Sequence, residues 1–250
     1  MSLLQCNCHY RSRRNSRSPK PDRRPASPQT YKPFITFTNH PLPITPHSVP
    51  LTLSYSPSQY FIMEKSDNAS VLDTTLHPTA IPFITLCAEF LSTIADLTPG
   101  PKLQTYLNTH HGPGTKYYDA LCSHIKSGLE AGWVAETPIA GPNYRRGKIA
   151  LPSEATRYFS ITTVYMNSVE EFRGQYHSHP YGEINCVVQL DDTAELMGMS
   201  GWQGAGWTSP GPGSHHYPEV RGGALVALFF LPAGRVSYEA TPDMEQPVGV

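Results

Sequence analysis

The sequence predicts a mainly β protein, in which a jelly-roll barrel follows a small α-helical unit and a disordered N-terminal tail. Three observations support this prediction. Residues 1–62 are rich in Arg, Ser and Pro, apolar residues recur at helical spacing between 78 and 133, and short alternating segments separated by Gly and Pro follow from residue 156. We therefore divide the chain into a tail (1–62), a helical unit (78–133) and a barrel (134–240).

The tail is basic and the rest of the chain is acidic. Residues 1–60 hold eight Lys and Arg, one acid (Asp22) and ten of the 25 prolines, which leaves eleven bases and nineteen acids in 61–250, a formal charge of −8. A segment without an apolar face cannot offset the entropy lost on ordering, so we expect disorder. Three interpretations stay open: a true disordered tail, an organellar targeting segment, or a gene-model artefact upstream of a start at Met63.

Charge, hydropathy and cysteine pattern exclude several classes of partner. An acidic body gives no support to nucleic-acid binding. No apolar run reaches the length of about 18 residues that a membrane span needs, and the longest one, 224–231, fits a buried strand. Five scattered cysteines without a CxxC motif indicate free thiols in a reducing compartment. We expect a cytoplasmic protein, with organellar targeting by the tail as the alternative.

The helical unit contains three predicted helices. The first carries an apolar stripe, and Pro99-Gly100-Pro101 ends it and begins the second. Thr115 is a candidate cap of the third, which Gly132 ends. The predicted buried positions are Phe83, Cys87, Phe90, Leu91 and Ile94 in the first helix, Leu103, Tyr106 and Leu107 in the second, and Tyr118, Leu121, Cys122, Ile125 and Leu129 in the third.

Residues 134–155 are predicted to be a connector. Its main feature is the basic cluster 143–148, which is interpreted either as a solvated loop or as a site where a guanidinium binds a carboxylate. From 156 onward, β-branched and aromatic residues alternate as in strands. The predicted strands after the first cover 174–179, 183–190, 194–200, 203–208, 214–217, 223–231 and 235–239.

A metal-ligating pattern lies in the predicted strands 174–179 and 183–190. His177 and His179 alternate, so both side chains point to the same face of a strand, and Glu183 follows closely. A second pair, His215 and His216, comes after a Gly/Pro turn, and only one of the two can face the interior. Three imidazoles and one carboxylate predict a site for Fe, Mn, Ni or Zn, without selecting one.

These residues resemble the two metal-binding motifs of the cupin superfamily. His177-x-His179-x-x-x-Glu183 resembles the first motif, and Gly213-x-x-His216 resembles the second, although Glu171 and Gly211 replace a usual Gly and a usual Pro. The resemblance implies a cupin-like barrel. Spacing from Gly213 favours His216 as the fourth ligand, and His215 stays open as the alternative.

A longer match, over about 80–240, resembles the 4-hydroxylaminobenzoate lyase family. It includes the runs Gly147-Lys-Ile-Ala-Leu-Pro152, His177-x-His-Pro-Tyr-Gly-Glu-Ile184, Gly201-Trp-Gln-Gly-Ala-Gly-Trp207 and Gly213-Ser-His-His-Tyr-Pro218. This resemblance implies a carbon–nitrogen lyase that converts 4-hydroxylaminobenzoate, or a related hydroxylamino-aromatic compound, to 3,4-dihydroxybenzoate and ammonia. It therefore implies a small aromatic carboxylate as substrate and a divalent metal ion as cofactor.

Chemistry at such a site needs further groups. Glu183 and Tyr176 are the predicted catalytic residues. Guanidinium groups would bind the carboxylate and indole rings would stack on the substrate ring. The predicted substrate-binding residues are Arg145, Arg157, Arg173, Trp202 and Trp207, with Arg146, Arg221 and Tyr181 as further candidates.

Two other function classes stay open at this point. One is a cupin oxygenase that uses Fe(II) and O₂ on an aromatic compound, because the same ligand set permits that chemistry. The other is a cupin that binds a metal or ligand without catalysis, since this scaffold hosts many activities. The sequence does not specify the oligomeric state, and a homodimer stays open because small cupins often dimerise through strands.

Overall fold

A computed structural model describes residues 69–248 of the 250-residue chain. By its contacts the chain divides into two units, Met1–Tyr60 and Phe61–Val250. The predictions for residues 1–62 lie outside the described residues. Everything below therefore concerns the second unit.

Between residues 69 and 248 the structure confirms the three predicted helices: α1 (Ala80–Thr93), α2 (Pro101–His110) and α3 (Lys116–Glu130). All five predicted stripe positions of α1 are buried, while in α2 Leu103 and Leu107 are buried and Tyr106 is exposed. Thr115 is the N-cap residue of α3, but its side chain makes no capping hydrogen bond. Among the described residues, no helix combines the length and the apolarity that crossing a membrane requires.

Twelve strands form the β part of the described residues. A six-stranded antiparallel sheet has the order β1-β2-β3-β12-β6-β9, a four-stranded sheet has the order β4-β11-β7-β8, and β10 pairs with β5. The strands are β1 (Thr137–Pro138), β2 (Tyr144–Ala150), β3 (Phe159–Ser168), β4 (Phe172–Arg173), β5 (His177–Ser178), β6 (Ile184–Gln189), β7 (Glu195–Gly198), β8 (Gly201–Gln203), β9 (Gly206–Thr208), β10 (His215–His216), β11 (Glu219–Arg221) and β12 (Gly223–Pro232).

The two faces of the six-stranded sheet pack against different layers. On β6, Ile184, Cys186 and Val188 belong to the core shared with the helices, whereas Val187 belongs to a second core that includes Leu196 of β7. The alternation follows from the two-residue period of a strand. Helices therefore cover the outer face, and the smaller sheet covers the inner face. This layered, mainly antiparallel arrangement is the predicted jelly-roll fold.

Two predictions about strands were wrong in detail. The connector 134–155 contains β1 and β2, and β2 pairs with β3 from Tyr144↔Met166 to Ala150↔Ile161. Long basic side chains concealed this strand, because they make an alternating segment look like a solvated loop. In the other direction, the predicted strand 235–239 contributes only an isolated bridge, Ser178↔Ser237. Its Ser and Tyr residues lack the paired neighbours that would extend a ladder.

Candidate active site

A cavity of about 190 Å³ lies against the inner face of the six-stranded sheet. Apolar side chains such as Val164, Met166 and Phe229 form much of its wall. Its charged, imidazole and amide side chains come from four segments of the chain. They are Arg146 and Lys148 of β2, Gln175 and His177 near β5, Glu183 and Asn185 near β6, and His216 of β10.

Three histidines converge at one side of this cavity. His177 and His216 are register partners in the β5–β10 pair, and His179 follows β5. One nitrogen from each of the three rings lies within 4.8 Å of the other two. The turn before β10 depends on Gly213, whose φ of 81° favours glycine. The local pairing therefore aligns two motifs that are about thirty residues apart in the sequence.

Hydrogen bonds determine which ring nitrogens face the centre of the cluster. His177 Nδ1 lies 2.9 Å from the Gln175 carbonyl oxygen, and His179 Nδ1 lies 3.1 Å from that of Ser214. A carbonyl only accepts, so Nδ1 carries the proton in both neutral rings and Nε2 carries a lone pair. The two Nε2 atoms are 3.0 Å apart. Two facing lone pairs repel each other unless a cation or a proton lies between them.

Burial keeps these imidazoles neutral. Desolvation lowers the pKa of His177 to about 4 and that of His216 to about 3, and it holds the pKa of His179 well below its ordinary value. The neighbouring imidazoles lower the pKa values of His179 and His216 further, and the Arg146 charge does so for His177. At pH 7 each ring therefore presents the unprotonated nitrogen that a metal ligand requires.

Glu183 adds a carboxyl group beside the histidines. It is 5% exposed, and its Oε2 atom is 3.7 Å from His179 Nε2. Burial raises its pKa to about 8, so the isolated carboxyl holds a proton at neutral pH. A divalent cation would reverse this preference by stabilising the carboxylate.

The donor set fits a divalent metal ion. Two nitrogens that each lie about 2.0–2.1 Å from one cation, at an angle near 90°, are about 3 Å apart, as the two Nε2 atoms are. His216 Nδ1 is buried and has no hydrogen-bond partner. Three neutral imidazoles and one carboxyl thus form a cluster whose polar atoms are only partly satisfied by the protein itself.

His215 lies on the other side of β10. Its Nδ1 contacts the Tyr176 hydroxyl, and its Nε2 lies 3.1 Å from the Glu245 carbonyl oxygen. Gln246 pairs with the His215 backbone through both N–H and C=O. The structure therefore brings His216, and not His215, to the cluster. Tyr176 contacts His215 and Tyr217 and does not line the cavity.

The predicted arginines lie elsewhere on the molecule. The Arg145 guanidinium is 4.4 Å from the centre of the Tyr165 ring, and Arg157 is exposed in a turn. The side chain of Arg173 is 63% exposed and forms an ion pair with Glu219 at 3.0 Å. None of these three arginines lines the cavity. Among the further candidates, Tyr181 is 52% exposed.

The two predicted tryptophans also lie outside the cavity. Trp207 is fully buried between sheet and helices, where it stacks on Phe90 at 4.7 Å and donates its indole N–H to the His111 carbonyl oxygen. Trp202 lies under the guanidinium of Arg221 at 4.1 Å on β8. Both therefore pack against protein groups, because their strand positions face away from the cavity.

The basic residues that do line the cavity are Arg146 and Lys148. Arg146 Nη2 donates a hydrogen bond of 3.0 Å to the Tyr238 hydroxyl, and Tyr238 also lines the cavity. The sequence contained the signal, since Tyr144, Arg146 and Lys148 alternate as one face of a strand does. No such signal was present in the sequence for Tyr238 and Asn185, because only the tertiary structure brings their side chains to the cavity.

A jelly-roll barrel with a histidine and carboxylate cluster inside it defines a cupin-type protein. The family model described as 4-hydroxylaminobenzoate lyase matches residues 85–238, and the chain belongs to that family. A 4-hydroxylaminobenzoate lyase from Nocardioides sp. (strain LMS-CY) is 54% identical over 156 residues, which cover 62% of this chain and 92% of that protein. The protein of the same name from Pseudomonas putida is 49% identical over 164 residues, covering 62% and 93%.

Solved structures show only weak similarity. The DMSP lyase DddQ from Ruegeria pomeroyi DSS-3 is 18% identical, covers 66% of this chain and 100% of its own, and has a TM-score of 0.31. A cupin 2 domain-containing protein from Halorhodospira halophila is 11% identical, covers 45% and 77%, and has a TM-score of 0.27. Similarity at this level carries no argument about activity. The family membership alone identifies the protein as a lyase.

Proposed function

We propose that the protein converts 4-hydroxylaminobenzoate to 3,4-dihydroxybenzoate and ammonia with the help of a divalent metal ion. His177, His179, His216 and Glu183 would hold the ion. The observation that carries this proposal is the convergence of three neutral imidazoles and a buried carboxyl, of which His177, His216 and Glu183 line one cavity. Family membership supplies the substrate class.

The reaction balances without an external oxidant. The substrate and one water molecule contain the atoms of the dihydroxybenzoate and one ammonia. The N–O bond breaks, one ring C–H becomes C–OH, and the C–N bond is replaced by a C–O bond. Two electrons pass from the ring to the nitrogen, which leaves as ammonia. The protein must therefore move protons to the departing nitrogen and control the access of water.

Side chains of the cavity supply these functions. A bound divalent ion would supply Lewis acidity toward an oxygen atom of the substrate or of water. Glu183 lies where its carboxyl either completes the ligand set or carries a proton to the substrate nitrogen. The apolar wall formed by Val164, Met166 and Phe229 limits bulk water around the reactive ring.

The cavity has a suitable size for one aromatic ring. An apolar cavity of about 150 Å³ binds benzene in another protein, and this one measures about 190 Å³. The additional volume leaves room for the substituents of a benzoate. A single-ring substrate therefore agrees with the geometry and with the family.

The test combines metal analysis with an anaerobic assay. Purified protein should contain a divalent transition metal, and it should release one ammonia per 4-hydroxylaminobenzoate consumed in the absence of O₂. Chelation should abolish the reaction, and re-addition of the metal should restore it. Strict dependence on O₂ would contradict the proposal and favour the oxygenase. Metal-loaded protein without turnover under either atmosphere would favour a binding protein.

A further inference from the structure

We propose that Arg146 and Lys148 form the subsite for the carboxylate of the aromatic substrate and thereby direct its nitrogen substituent toward the histidines. This inference rests on the proposed function and adds the residues that select the substrate. None of the arginines predicted from sequence, Arg145, Arg157 or Arg173, lines the cavity. Within the part of the chain that the structure describes, Arg146 and Lys148 are the only lining residues with a permanently cationic side chain.

Sheet register places Lys148 and Asn185 at opposite ends of one row of residues. Lys148 pairs with Thr162, Thr162 with Phe229, and Phe229 with Asn185, so the four residues form one row across β2, β3, β12 and β6. All four line the cavity. Adjacent strands are about 4.8 Å apart, so the ends of this row are separated by about 14 Å before the side chains are counted.

Glu183 lies two residues before Asn185 and also lines the cavity. The end of the cavity at Lys148 therefore differs in chemical character from the end at Glu183 and the histidine cluster. A ring with a carboxylate at one end and a nitrogen substituent at the other matches this polarity. A para arrangement spans the space between the two sides, whereas an ortho arrangement places both substituents on the same side.

The position of Arg146 is defined by a specific contact. Its Nη2 atom donates to the Tyr238 hydroxyl at 3.0 Å, and the Tyr238 ring centre lies 6.2 Å from that of His177. Tyr238 thus orients the guanidinium along the wall that leads to the cluster. Guanidinium groups bind carboxylates bidentately, through two parallel N–H···O hydrogen bonds.

Electrostatics makes the subsite necessary. Residues 61–250 carry a formal charge of −8, so the body as a whole repels an anionic substrate. Arg146 and Lys148 bring positive charge to the wall of the cavity. Partial burial strengthens the local attraction, because the effective dielectric constant is lower than in water. A benzoate is therefore attracted by the cavity although it is repelled by the surface.

The chain offers a matched control for this proposal. Arg145 is adjacent to Arg146 on the same strand and carries the same charge, but it stacks on Tyr165 and does not line the cavity. Replacing either residue by Gln changes the net charge equally. Only Arg146→Gln removes a guanidinium from the proposed subsite.

The experiment measures binding of benzoate and of its neutral isostere benzamide to the full chain by calorimetry, with and without metal. Arg146→Gln and Lys148→Gln should each weaken benzoate binding by about tenfold or more, as expected for the loss of charge-assisted hydrogen bonds. Benzamide binding should change by less than about twofold in both variants. Arg145→Gln should leave the benzoate affinity of the parent protein unchanged, and Arg146→Lys should retain part of it.

Two outcomes would overturn the proposal: unchanged benzoate affinity in Arg146→Gln and Lys148→Gln, or an equal loss in Arg145→Gln. If Arg146→Gln does not fold, Lys148→Gln and Tyr238→Phe carry the comparison, and unchanged benzoate binding in both overturns it. Benzoate has no N–O bond, so its binding does not depend on turnover. Protein that binds benzoate through Arg146 but releases no ammonia would contradict the proposed function and support the subsite.

Discussion

Metal binding at pH 7 should expel about one proton from Glu183, and Glu183→Gln should abolish this release. Burial raises the pKa of Glu183 to about 8, so the carboxyl is about 0.9 protonated at pH 7 and about 0.1 protonated at pH 9. A cation favours the deprotonated form. The imidazoles contribute no protons, because the pKa values of His177 and His216 are about 4 and about 3.

The sign of the effect gives a second measurable quantity. Because one proton leaves as the ion binds, the affinity should rise by about tenfold per pH unit between about pH 5.5 and 7.5, and it should level off above pH 8. In Glu183→Gln the affinity should be lower and nearly independent of pH in this range. The free energy of unfolding of the metal-free protein should change in the opposite direction. Because the folded state raises the pKa of Glu183, this free energy should fall as the pH rises from 4.5 to 8.

Calorimetric titration of metal-free protein with Zn²⁺, in two buffers that differ in ionisation enthalpy, measures the proton count directly. The parent protein should give about 0.9 at pH 7, and the Gln variant should give a count near zero. A count near zero in the parent would refute the assignment of Glu183 as the charged partner of the ion. An equal count in both proteins would show that another group releases the proton.

Three further variants test the site and its support. His216→Ala should remove bound metal, whereas His215→Ala should retain it with an affinity weakened by no more than about 10–100-fold; equal metal content in the two variants would contradict this. Trp207→Phe should lower the free energy of unfolding by about 1–3 kcal/mol, because the His111 carbonyl loses its donor, and should leave KM for the substrate unchanged. Gln246→Ala should weaken metal binding by about tenfold, because the Gln246 side chain holds the backbone of β10 with two hydrogen bonds. An unchanged metal affinity would show that β10 does not need this support.

Sequence patterns predicted the elements whose period is unmistakable. The stripe from Phe83 to Ile94 specifies α1, because apolar residues at helical spacing have one explanation in a chain of this composition. The alternation from Phe159 to Met166 likewise predicted β3. Strand β2 escaped prediction because charged residues occupy both of its faces. On the inner face of β2, Arg146 and Lys148 line the cavity. The sequence of a single strand does not show that a cavity lies beside it.

The same distinction explains the outcome for individual site residues. His177 and His179 could be paired from sequence, since residues two apart on a strand share a face. Trp207 and Arg145 have side chains of the right chemistry for a substrate site, but composition does not show which face of the sheet each one occupies. Helices cover one face of the sheet and the cavity lies against the other. Only the three-dimensional structure shows which side chains face the cavity.

Two pairs of adjacent, identical residues show how strictly strand register controls this site. Arg145 and Arg146 lie on β2, His215 and His216 lie on β10, and in each pair only the second residue faces the cavity. Because the side-chain period of a strand is two, a shift of one residue in either pairing would exchange the members of the pair. On β10 the bonds from Gln246 and the pairing with β5 oppose such a shift. The proposed metal ligand and the proposed carboxylate anchor therefore depend on backbone pairing as much as on the identity of their own side chains.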